Sequence, residues 1–291
     1  MIKKIAFIGI TGNLAPFAYK EILAKGIEIK AMVRNIEKLQ TIPDFPREIQ
    51  VQKGDLSDLE SLRELFTGVD AVYLNLSTEN PNAPFQPEDD GVNNVIQIAK
   101  EKGIKRIFHV SAMSVAYPEF TQGATNFVNE TRKTGYRLLK ESGIPSTFFH
   151  CSWIMDTIEF TMRKDNTLQG FKPAPNPFYW LAGKDLGRMV ANAAVSSDHE
   201  LTKDYVMQGK EPLTFEEALT RYANTYKPKL KVQMAPSWLL KFIGLFNKDA
   251  RFAGQMADFF KNYREKFRAE QTWKELGEPR YTIENFWNGK T

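Results

Sequence analysis

Residues 4–17 read KIAFIGITGNLAPF, and this stretch decides the fold. A short apolar run at 5–8 is followed by Gly9, Gly12 and Ala15 at three-residue spacing. The pattern predicts a buried strand, a tight glycine turn and then a helix. A helix amino terminus presents unpaired backbone amides and the positive end of the helix dipole to an anion. The stretch therefore predicts a dinucleotide-binding turn, in which Gly12 admits a pyrophosphate and Ala15 allows close packing of helix on strand.

The composition is that of a globular chain with a full core. Hydrophobic residues make up 42% of the 291 positions, which is enough to bury one large domain or two smaller ones. A single cysteine excludes an internal disulfide framework, and with only three histidines we predict no metal site.

The charge balance and the apolar runs bear on partners and location. The 39 basic and 35 acidic residues are spread along the chain, which is not the pattern of a nucleic-acid-binding protein. No apolar run approaches the ~20 residues of a membrane-spanning helix, and no signal-peptide pattern opens the chain. We expect a cytoplasmic protein whose partners include neither nucleic acid nor a membrane.

Predicted strands and helices alternate through the first half. The strands are at 5–8, 27–33, 50–53, 71–76, 106–111 and 146–150, and the helices at 16–25, 59–66, 92–102 and 129–142. This alternation predicts an α/β fold, a Rossmann-type doubly wound parallel sheet. We expect an NAD(P)-binding domain at 1–150. A smaller, mixed α/β region at 151–291 would cover the substrate and return in part to the first domain.

The pattern is weaker in the second half. We predict an apolar, helically spaced segment at 151–162, helices at 186–195, 215–226, 237–246 and 252–273, and strands at 205–208 and 231–234. The last helix is amphipathic and aromatic-rich, and we expect it to pack against the main domain or a second subunit in preference to a partner or a membrane surface. Five aromatic residues of this half suit either a flat substrate or an ordinary core. They are Trp153, Phe171, Phe178, Tyr179 and Trp180.

The residue after the second strand selects the cofactor. A carboxylate there accepts a hydrogen bond from the 2′-hydroxyl of NAD, whereas an arginine binds the 2′-phosphate of NADP. Arg34 occupies this position and Lys38 lies four residues on. We predict that NADP (NADPH) is preferred, with NAD as the alternative if both cations merely face solvent.

The ends of the other strands complete the predicted cofactor site. Asp55 either contacts the adenine or serves as a turn residue. Ser57 and Glu60 have the spacing of a capping box, and the polar loop at 78–87 lies at the carboxyl edge, where ligands bind in such sheets. The predicted cofactor-binding residues are Gly9, Thr11, Gly12, Asn13, Leu14, Ala15, Arg34, Lys38, Asp55, Leu56, Leu76, Ser77, Ser111, Arg132, Cys151 and Ser152.

Several motifs together resemble the NmrA-like group of atypical short-chain dehydrogenases. They are GITGNLA (9–15), VRNIEK (33–38), GDLSD (54–58), HVSAMS (109–114), LLKESGIPSTFF (138–149), GKDLGRMVANAA (183–194) and MQGKEPLTFEEA (207–218). The resemblance covers nearly the whole chain. It implies a Rossmann-type domain that binds NADP or NAD under a small C-terminal lobe. Members of the group include quinone and isoflavone-type reductases and regulators that bind the dinucleotide without turning it over.

The chain departs from the family at the catalytic pair. Short-chain dehydrogenases generally use a tyrosine as proton donor and a lysine four residues later, and these positions fall on Val128 and Arg132. Valine cannot transfer a proton. The catalytic candidates are therefore Arg132, Tyr136 and His150, although Tyr136 would also suit core packing and His150 the end of a strand. Cys151 fits a small pocket-lining residue better than a reactive thiol.

Three functions remain open. The first is an oxidoreductase without the usual Tyr/Lys pair, which uses NADPH to reduce a small quinone- or enone-type molecule. The second is a non-catalytic NADP(H) sensor that acts on a protein partner. The third is an epimerase-like enzyme for nucleotide sugars, which the missing tyrosine disfavours because that chemistry needs a base. A homodimer is compatible with all three.

Overall fold

A seven-stranded parallel sheet is built mostly from the first half of the chain. The computed structural model describes residues 2–77, 82–196 and 201–287, so the first four residues of the predicted loop at 78–87 lie outside the described residues. The strands are β1 (Lys4–Ile8), β2 (Glu28–Val33), β3 (Gln50–Lys53), β4 (Ala71–Leu74), β5 (Arg106–Ala112), β6 (Ser146–Cys151), β7 (Arg163–Lys164), β8 (Thr167–Lys172), β9 (Phe178–Tyr179), β10 (Lys203–Met207), β11 (Pro212–Leu213) and β12 (Lys231–Pro236).

Helices connect these strands and cover the sheet. The α-helices are α1 (Ala15–Ala24), α2 (Leu59–Phe66), α3 (Val92–Lys102), α4 (Met113–Ala116), α5 (Phe127–Glu141), α6 (Gly183–Val195), α7 (Phe215–Ala223), α8 (Ser237–Ile243), α9 (Lys248–Lys261) and α10 (Glu270–Leu276). Short 3-10 helices span Ile36–Thr41 and Pro118–Thr121, and π-helical turns span Pro87–Gly91 and Ile158–Met162.

The order of the strands reverses at β1. The sheet runs β10-β6-β5-β4-β1-β2-β3, and in register Ile5 lies between Ile29 of β2 and Ala71 of β4. Such a reversal opens a crevice at the carboxyl ends of the two central strands, where ligands bind in this kind of sheet. The predicted doubly wound Rossmann-type α/β fold is therefore confirmed.

Apolar residues of the strands and helices fill the core beneath this crevice. Ile5, Ala6 and Phe7 of β1 are fully buried. On one face of the sheet, Leu62 and Leu65 of α2 pack into a cluster formed by the apolar residues of β1, β4, α3 and β6. The central strand therefore has its side chains buried on both faces, as expected of a parallel sheet.

The chain divides into two compact units. The first comprises residues 1–115, 127–150 and 186–205, and the second residues 116–126, 151–185 and 206–291. The second unit contains a three-stranded sheet in the order β12-β8-β7 and the antiparallel pair β9–β11. Its core is aromatic, with the ring of Trp153 4.5 Å from that of Phe215 and 4.9 Å from that of Phe260. Phe171, Phe178 and Trp180 are buried in this cluster and serve as core residues.

The long helix predicted at 252–273 is wrong. Helix α9 ends at Lys261, and α10 begins only at Glu270. Tertiary contacts hold the chain between them out of the helical conformation, since the Arg264 amide donates to the Phe120 carbonyl at 2.8 Å and Tyr263 is buried. The aromatic residues of this stretch pack within the second unit.

Two further local predictions are wrong. Residues 151–156 are not helical, because the Ser152 amide donates to the Met207 carbonyl and the Trp153 carbonyl accepts from the Leu181 amide. The capping box of Ser57 and Glu60 is absent. Asp58 caps α2 instead and accepts from the Glu60 amide at 3.0 Å, so the helix begins one residue later than that motif implied.

No helix in the described parts of the chain is long and apolar enough to cross a membrane.

Candidate functional site

The glycine turn lies where β1 ends, in contact with the end of β4. Gly9 has a φ of +84°, and a Cβ there would lie 2.0 Å from the Asn75 carbonyl oxygen. The Gly12 amide donates to the Gly9 carbonyl at 3.1 Å, which closes the turn. A Cβ on Gly12 would meet the Asn75 Nδ2 at 3.0 Å and the Gly9 oxygen at 3.2 Å. The turn therefore needs a glycine at position 9, and Gly12 is also tightly packed within the turn, in addition to the close approach of a ligand that the sequence predicted for it.

The amino end of α1 is left without a side-chain cap. Leu14 occupies the N-cap position and makes no side-chain hydrogen bond, and the first turn contains no acidic residue. Thr11 and Asn13 are exposed beside it, whereas Ala15 is fully buried against the sheet. An uncapped helix start without a neighbouring carboxylate favours an anion such as a pyrophosphate.

Arg34 and Lys38 are exposed cations that follow the end of β2. Asn35 caps the short 3-10 helix Ile36–Thr41 by accepting from the Glu37 amide at 2.9 Å. Neither Arg34 nor Lys38 forms an ion pair with a residue that the structure describes. Both are therefore free to bind a phosphate at this edge of the sheet.

The next strand ends hold the remaining predicted contacts. Asp55 accepts hydrogen bonds from the Ser57 amide at 2.9 Å and from the Ser57 hydroxyl at 2.6 Å, so it acts as a turn residue. The Leu56 carbonyl accepts from Asn94 at 2.9 Å. Leu76 is buried and Ser77 exposed after β4. Because parallel strands end at the same edge, these loops line one crevice with the glycine turn.

A buried polar group, Ser111, lies near the end of β5. Its side chain is almost fully buried, and its hydroxyl has no hydrogen-bond partner among the described residues. An unpaired buried hydroxyl costs free energy, and a ligand that accepts its hydrogen bond removes that cost. Close by in sequence, the Ser114 hydroxyl donates to Asn129 on α5.

Arg132 on α5 lies beside a buried carboxylate that the sequence did not reveal. Its Nε lies 3.9 Å from Oε1 of Glu88, whose other oxygen lies 2.9 Å from Nε2 of His109. Glu88 and His109 are fully buried. Gly135 makes room for this arrangement, because a Cβ there would lie 2.5 Å from the Glu88 carboxylate. The Arg132 guanidinium is thus near enough to Glu88 for an ion pair but too far for a hydrogen bond between Nε and Oε1, and 30% of the side chain stays exposed.

Tyr136 and His150 belong to a separate cluster in the first unit. The Tyr136 hydroxyl accepts a hydrogen bond from Lys140 at 2.9 Å, and Lys140 also pairs with Asp204 at 3.2 Å. His150 is fully buried, with its Nε2 2.8 Å from Asp204. The ring of Tyr136 packs on Phe148 at a centroid distance of 4.6 Å. These side chains bond to one another and not to Arg132.

The pKa values within this cluster follow from its contacts. Burial raises the pKa of Tyr136, and the Lys140 ammonium only partly opposes that effect. Burial also disfavours charge on Asp204, but the His150 hydrogen bond and charge outweigh it, so the pKa of Asp204 falls to about 2. Tyr136 is therefore a weaker acid than a free tyrosine, whereas a catalytic proton donor needs a pKa nearer neutrality.

Cys151 is the last residue of β6 and Ser152 follows it, and both belong to the second unit. The Ser152 hydroxyl donates to Glu265 at 2.9 Å, and Gln208 donates to the same carboxyl group at 2.7 Å. Burial raises the pKa of Glu265 to about 7, despite these hydrogen bonds. Ser152 is thus already committed to a neighbouring carboxyl group, and Cys151 is only partly buried.

The residues present fit a nicotinamide dinucleotide. The turn Gly9–Ala15 offers an uncapped helix start to the pyrophosphate, Arg34 and Lys38 offer two unpaired cations, and Ser111 offers an unpaired buried hydroxyl. Within the described ranges, no group of three or more His, Cys, Asp or Glu side chains is arranged to hold a metal ion.

Some site residues escaped the sequence interpretation for identifiable reasons. Glu88 gave no signal, because its role depends on Gly135 and His109 from distant parts of the chain. Tyr136 and Lys140 did give one, since they have the four-residue spacing of the dehydrogenase pair. Counting back from the SGIP turn before β6 gave precedence to Val128 and Arg132, about two turns earlier on α5.

Comparison with known proteins yields one family model and several relatives. A model described as NAD(P)H-binding matches residues 9–173, more than half of the chain. Cinnamoyl-CoA reductase 1 of Petunia hybrida is 28% identical over 134 residues, which cover 44% of this chain and 40% of that protein. The photosystem II assembly factor Ycf39 of Cyanophora paradoxa is 30% identical over 149 residues, which cover 50% of this chain and 44% of that protein. The chain thus spans less than half the length of the curated relatives it matches.

Solved structures share the fold over almost the whole chain. A nucleoside-diphosphate-sugar epimerase of Staphylococcus aureus superposes with a TM-score of 0.75 at 18% identity, covering 97% of this chain and 99% of that one. Triphenylmethane reductase of Citrobacter sp., solved with NADP(H), superposes with a TM-score of 0.74 at 19% identity and covers 97% of this chain and 98% of that one. An NADPH-dependent quinone oxidoreductase of Escherichia coli, solved with NADPH, superposes with a TM-score of 0.72 at 19% identity and covers 96% of this chain and 97% of that one. At such identities the likeness shows the fold alone.

Proposed function

The chain belongs to the NAD(P)H-binding family, as its resemblance to the atypical short-chain dehydrogenases implied, and on this premise we propose that it is an NADPH-dependent reductase of a small quinone- or enone-type acceptor. The observation that carries the proposal is the environment of Arg132. A partly exposed guanidinium, 3.9 Å from a buried carboxylate, occupies the site without a tyrosine hydrogen-bonded to it.

The choice of NADPH rests on the end of β2. An acidic residue there would repel a 2′-phosphate, whereas Arg34 and Lys38 present two cations without ion-pair partners in the described structure. Hydrogen bonds between charged groups contribute about 1.5–3 kcal/mol each, less where solvent screens them. Two such contacts support a preference for NADPH over NADH of at least about tenfold.

The choice of acceptor follows from the missing proton donor. When bound, NADPH supplies a hydride from its nicotinamide ring. Hydride addition to a ketone leaves a strongly basic alkoxide that needs a positioned acid, whereas addition to a quinone leaves a delocalised anion that solvent can protonate. Arg132 stays protonated, so it stabilises an anion but transfers no proton. The Ser111 hydroxyl adds a hydrogen-bond donor at the end of β5.

Glu88 acts through Arg132. The buried carboxylate, which is itself hydrogen-bonded to His109, attracts the guanidinium and favours one orientation of it, and preorganised charge stabilises a developing anion more than charge that must first reorient. The names of two proteins with the same fold, a triphenylmethane reductase and a quinone oxidoreductase, agree with flat conjugated acceptors.

The test is oxidation of NADPH against a panel of quinones, enones and simple ketones, with Arg132→Met as the variant. We expect quinone reduction, negligible ketone reduction, and a loss of about 10- to 100-fold in kcat for Arg132→Met. Lys133→Met is the matched control, because Lys133 points about 100° away on the same helix and pairs with Glu130. Efficient interconversion of ketones and alcohols would contradict the proposal.

A non-catalytic sensor of NADP(H) is the second candidate. Val128 at the tyrosine position favours it, and so does the similarity to a protein named as an assembly factor. Tight NADPH binding without oxidation by any quinone in the panel would favour the sensor over the reductase.

A further inference from the structure

Large apolar side chains are exposed together on one helical hairpin of the second unit. The hairpin comprises α8 (Ser237–Ile243), the connection 244–247 and α9 (Lys248–Lys261). Trp238 is 68% exposed, Phe242 64% and Phe246 88%. Ile243, Leu245 and Phe252 are exposed as well. Scattered exposed apolar residues are ordinary, but a group of six within fifteen residues marks an interaction surface.

The hairpin is fixed by its own contacts. Lys241 pairs with Asp258 at 2.8 Å across the two helices. Arg251 of α9 donates to the Gly244 carbonyl at 2.8 Å, and Asn247 caps α9 by accepting from the Ala250 amide at 3.0 Å. A Cβ on Gly244 would lie 2.7 Å from the Cα of Arg251, so the two helices meet closely at the tip.

The exposed residues share one face of this fixed structure. Trp238 and Phe242 lie one helical turn apart, and Leu245 and Phe246 continue the same face onto the tip. The buried residues of the hairpin, such as Ala257 and Phe259, face the interior of the second unit. The apolar face is therefore separate from the side that packs into the core.

The charge around this face selects its occupant. The hairpin at 237–261 has four basic residues, Lys241, Lys248, Arg251 and Lys261, and two acidic residues, Asp249 and Asp258. Lys248, beside the tip, forms no ion pair with any described residue. Two copies of the chain meeting through this face would bring like charges together, whereas an anionic surface complements it.

We propose that the α8–α9 hairpin docks the protein on an anionic phospholipid bilayer, with Trp238, Phe242, Leu245 and Phe246 inserted at the level of the headgroups. Tryptophan and phenylalanine favour this boundary, and lysines beside them bind lipid phosphates. The docking is peripheral and does not depend on the reductase function. It departs from the expectation, based on the sequence, that no membrane is a partner.

Flotation of the full chain with vesicles tests the proposal. We expect binding to phosphatidylcholine vesicles that contain phosphatidylglycerol, and at least about tenfold weaker binding to pure phosphatidylcholine. The variant Phe242→Ser/Phe246→Ser should lose at least about tenfold in binding to the anionic vesicles. Val195→Ser/Leu201→Ser is the matched control, because it removes two exposed apolar side chains of the first unit. The control should bind as the unaltered protein does.

Two further measurements keep the outcome decisive. Lipids brominated near the headgroup should quench Trp238, so the quenching should fall in Trp238→Phe. Circular dichroism should show that all variants are folded, since the altered side chains are on the surface. No binding to anionic vesicles would overturn the proposal. So would a dimer that sediments as such in the absence of lipid and dissociates in Phe242→Ser/Phe246→Ser, because the face would then bind a second copy.

Discussion

The Lys140 ammonium donates a 2.9 Å hydrogen bond to the Tyr136 hydroxyl, from one turn further along α5. The two residues have the spacing of the short-chain dehydrogenase pair, yet Lys140 also pairs with Asp204, and the tyrosine ring packs on Phe148. Helix α5 follows a parallel strand and so runs back from the carboxyl edge. Tyr136 therefore lies about 6 Å further from that edge than Arg132. We therefore expect the pair to stabilise the fold and Arg132 to lie nearer the cofactor than Tyr136 does.

The first prediction concerns Tyr136→Phe. The variant should reduce quinones within about twofold of the unaltered rate, because Arg132 and Ser111 are untouched. Its free energy of unfolding should fall by at most about 1 kcal/mol, since one solvent-exposed hydrogen bond is lost. Steady-state kinetics and urea denaturation measure the two effects. A drop of about tenfold or more in kcat in a folded variant would make Tyr136 the proton donor.

The second prediction concerns cofactor choice. The variant Arg34→Ala/Lys38→Ala should bind NADPH at least about tenfold more weakly, because the 2′-phosphate contacts these cations. Its affinity for NADH, which lacks that phosphate, should be unchanged. Isothermal titration calorimetry gives both affinities. Arg47→Ala is the matched control, because Arg47 is an exposed arginine of the first unit. Equal losses for the two cofactors would show that the cations act only through general attraction.

The sequence predicted what depends on neighbours along the chain. The glycine turn, the parallel sheet and the bounds of β3, α2 and α3 follow from local patterns of apolar and turn residues. The break at Asn262–Ala269 did not follow, because it depends on the contact of Arg264 with Phe120, over a hundred residues away. Glu88 beside Arg132 was missed for the same reason: three separate segments create that site. Local patterns also cannot distinguish an apolar face that is buried from the exposed face of α8.

The third prediction separates two roles of the glycine turn. Gly12→Val should weaken NADPH binding by about 100-fold or more, because a branched side chain obstructs the amino end of α1. It should also cost about 1–2 kcal/mol of stability, since its Cβ would crowd Asn75 Nδ2 at 3.0 Å.

Gly26→Ala is the control for this experiment. Gly26 has a φ of +74° and open space around its Cβ position, so alanine there should cost about 1 kcal/mol through backbone strain alone. Its NADPH affinity should be unchanged. If folded Gly12→Val bound NADPH as tightly as Gly26→Ala, the turn would have no role in cofactor binding.

The fourth prediction concerns acid stability. The pKa of Asp204 falls to about 2 from an ordinary 3.8, so the folded state favours its charged form. The resulting stability is complete above pH about 4 and is lost as the pH falls toward about 2. Asp204→Asn should be less stable than the unaltered protein near neutrality, and the difference should shrink over this acid range. A pH-independent difference in chemical denaturation would contradict the charge interaction with His150 and Lys140.

The last prediction concerns Glu265, whose pKa burial raises to about 7 from an ordinary 4.5. The folded state therefore favours the protonated carboxyl group, which the hydrogen bonds with Ser152 and Gln208 do not fully offset. This contribution to stability is complete below pH about 4.5 and is lost as the pH rises through about 7.

Glu265→Gln tests this dependence, because glutamine is neutral at every pH and has a similar shape. Its stability relative to the unaltered protein should therefore rise between pH about 5 and about 8. Urea denaturation measures the difference, with Glu216→Gln, an exposed glutamate of the second unit, as the control that shows no such rise. A difference that stays constant with pH would mean that Glu265 is ionised throughout and that its hydrogen bonds outweigh its burial.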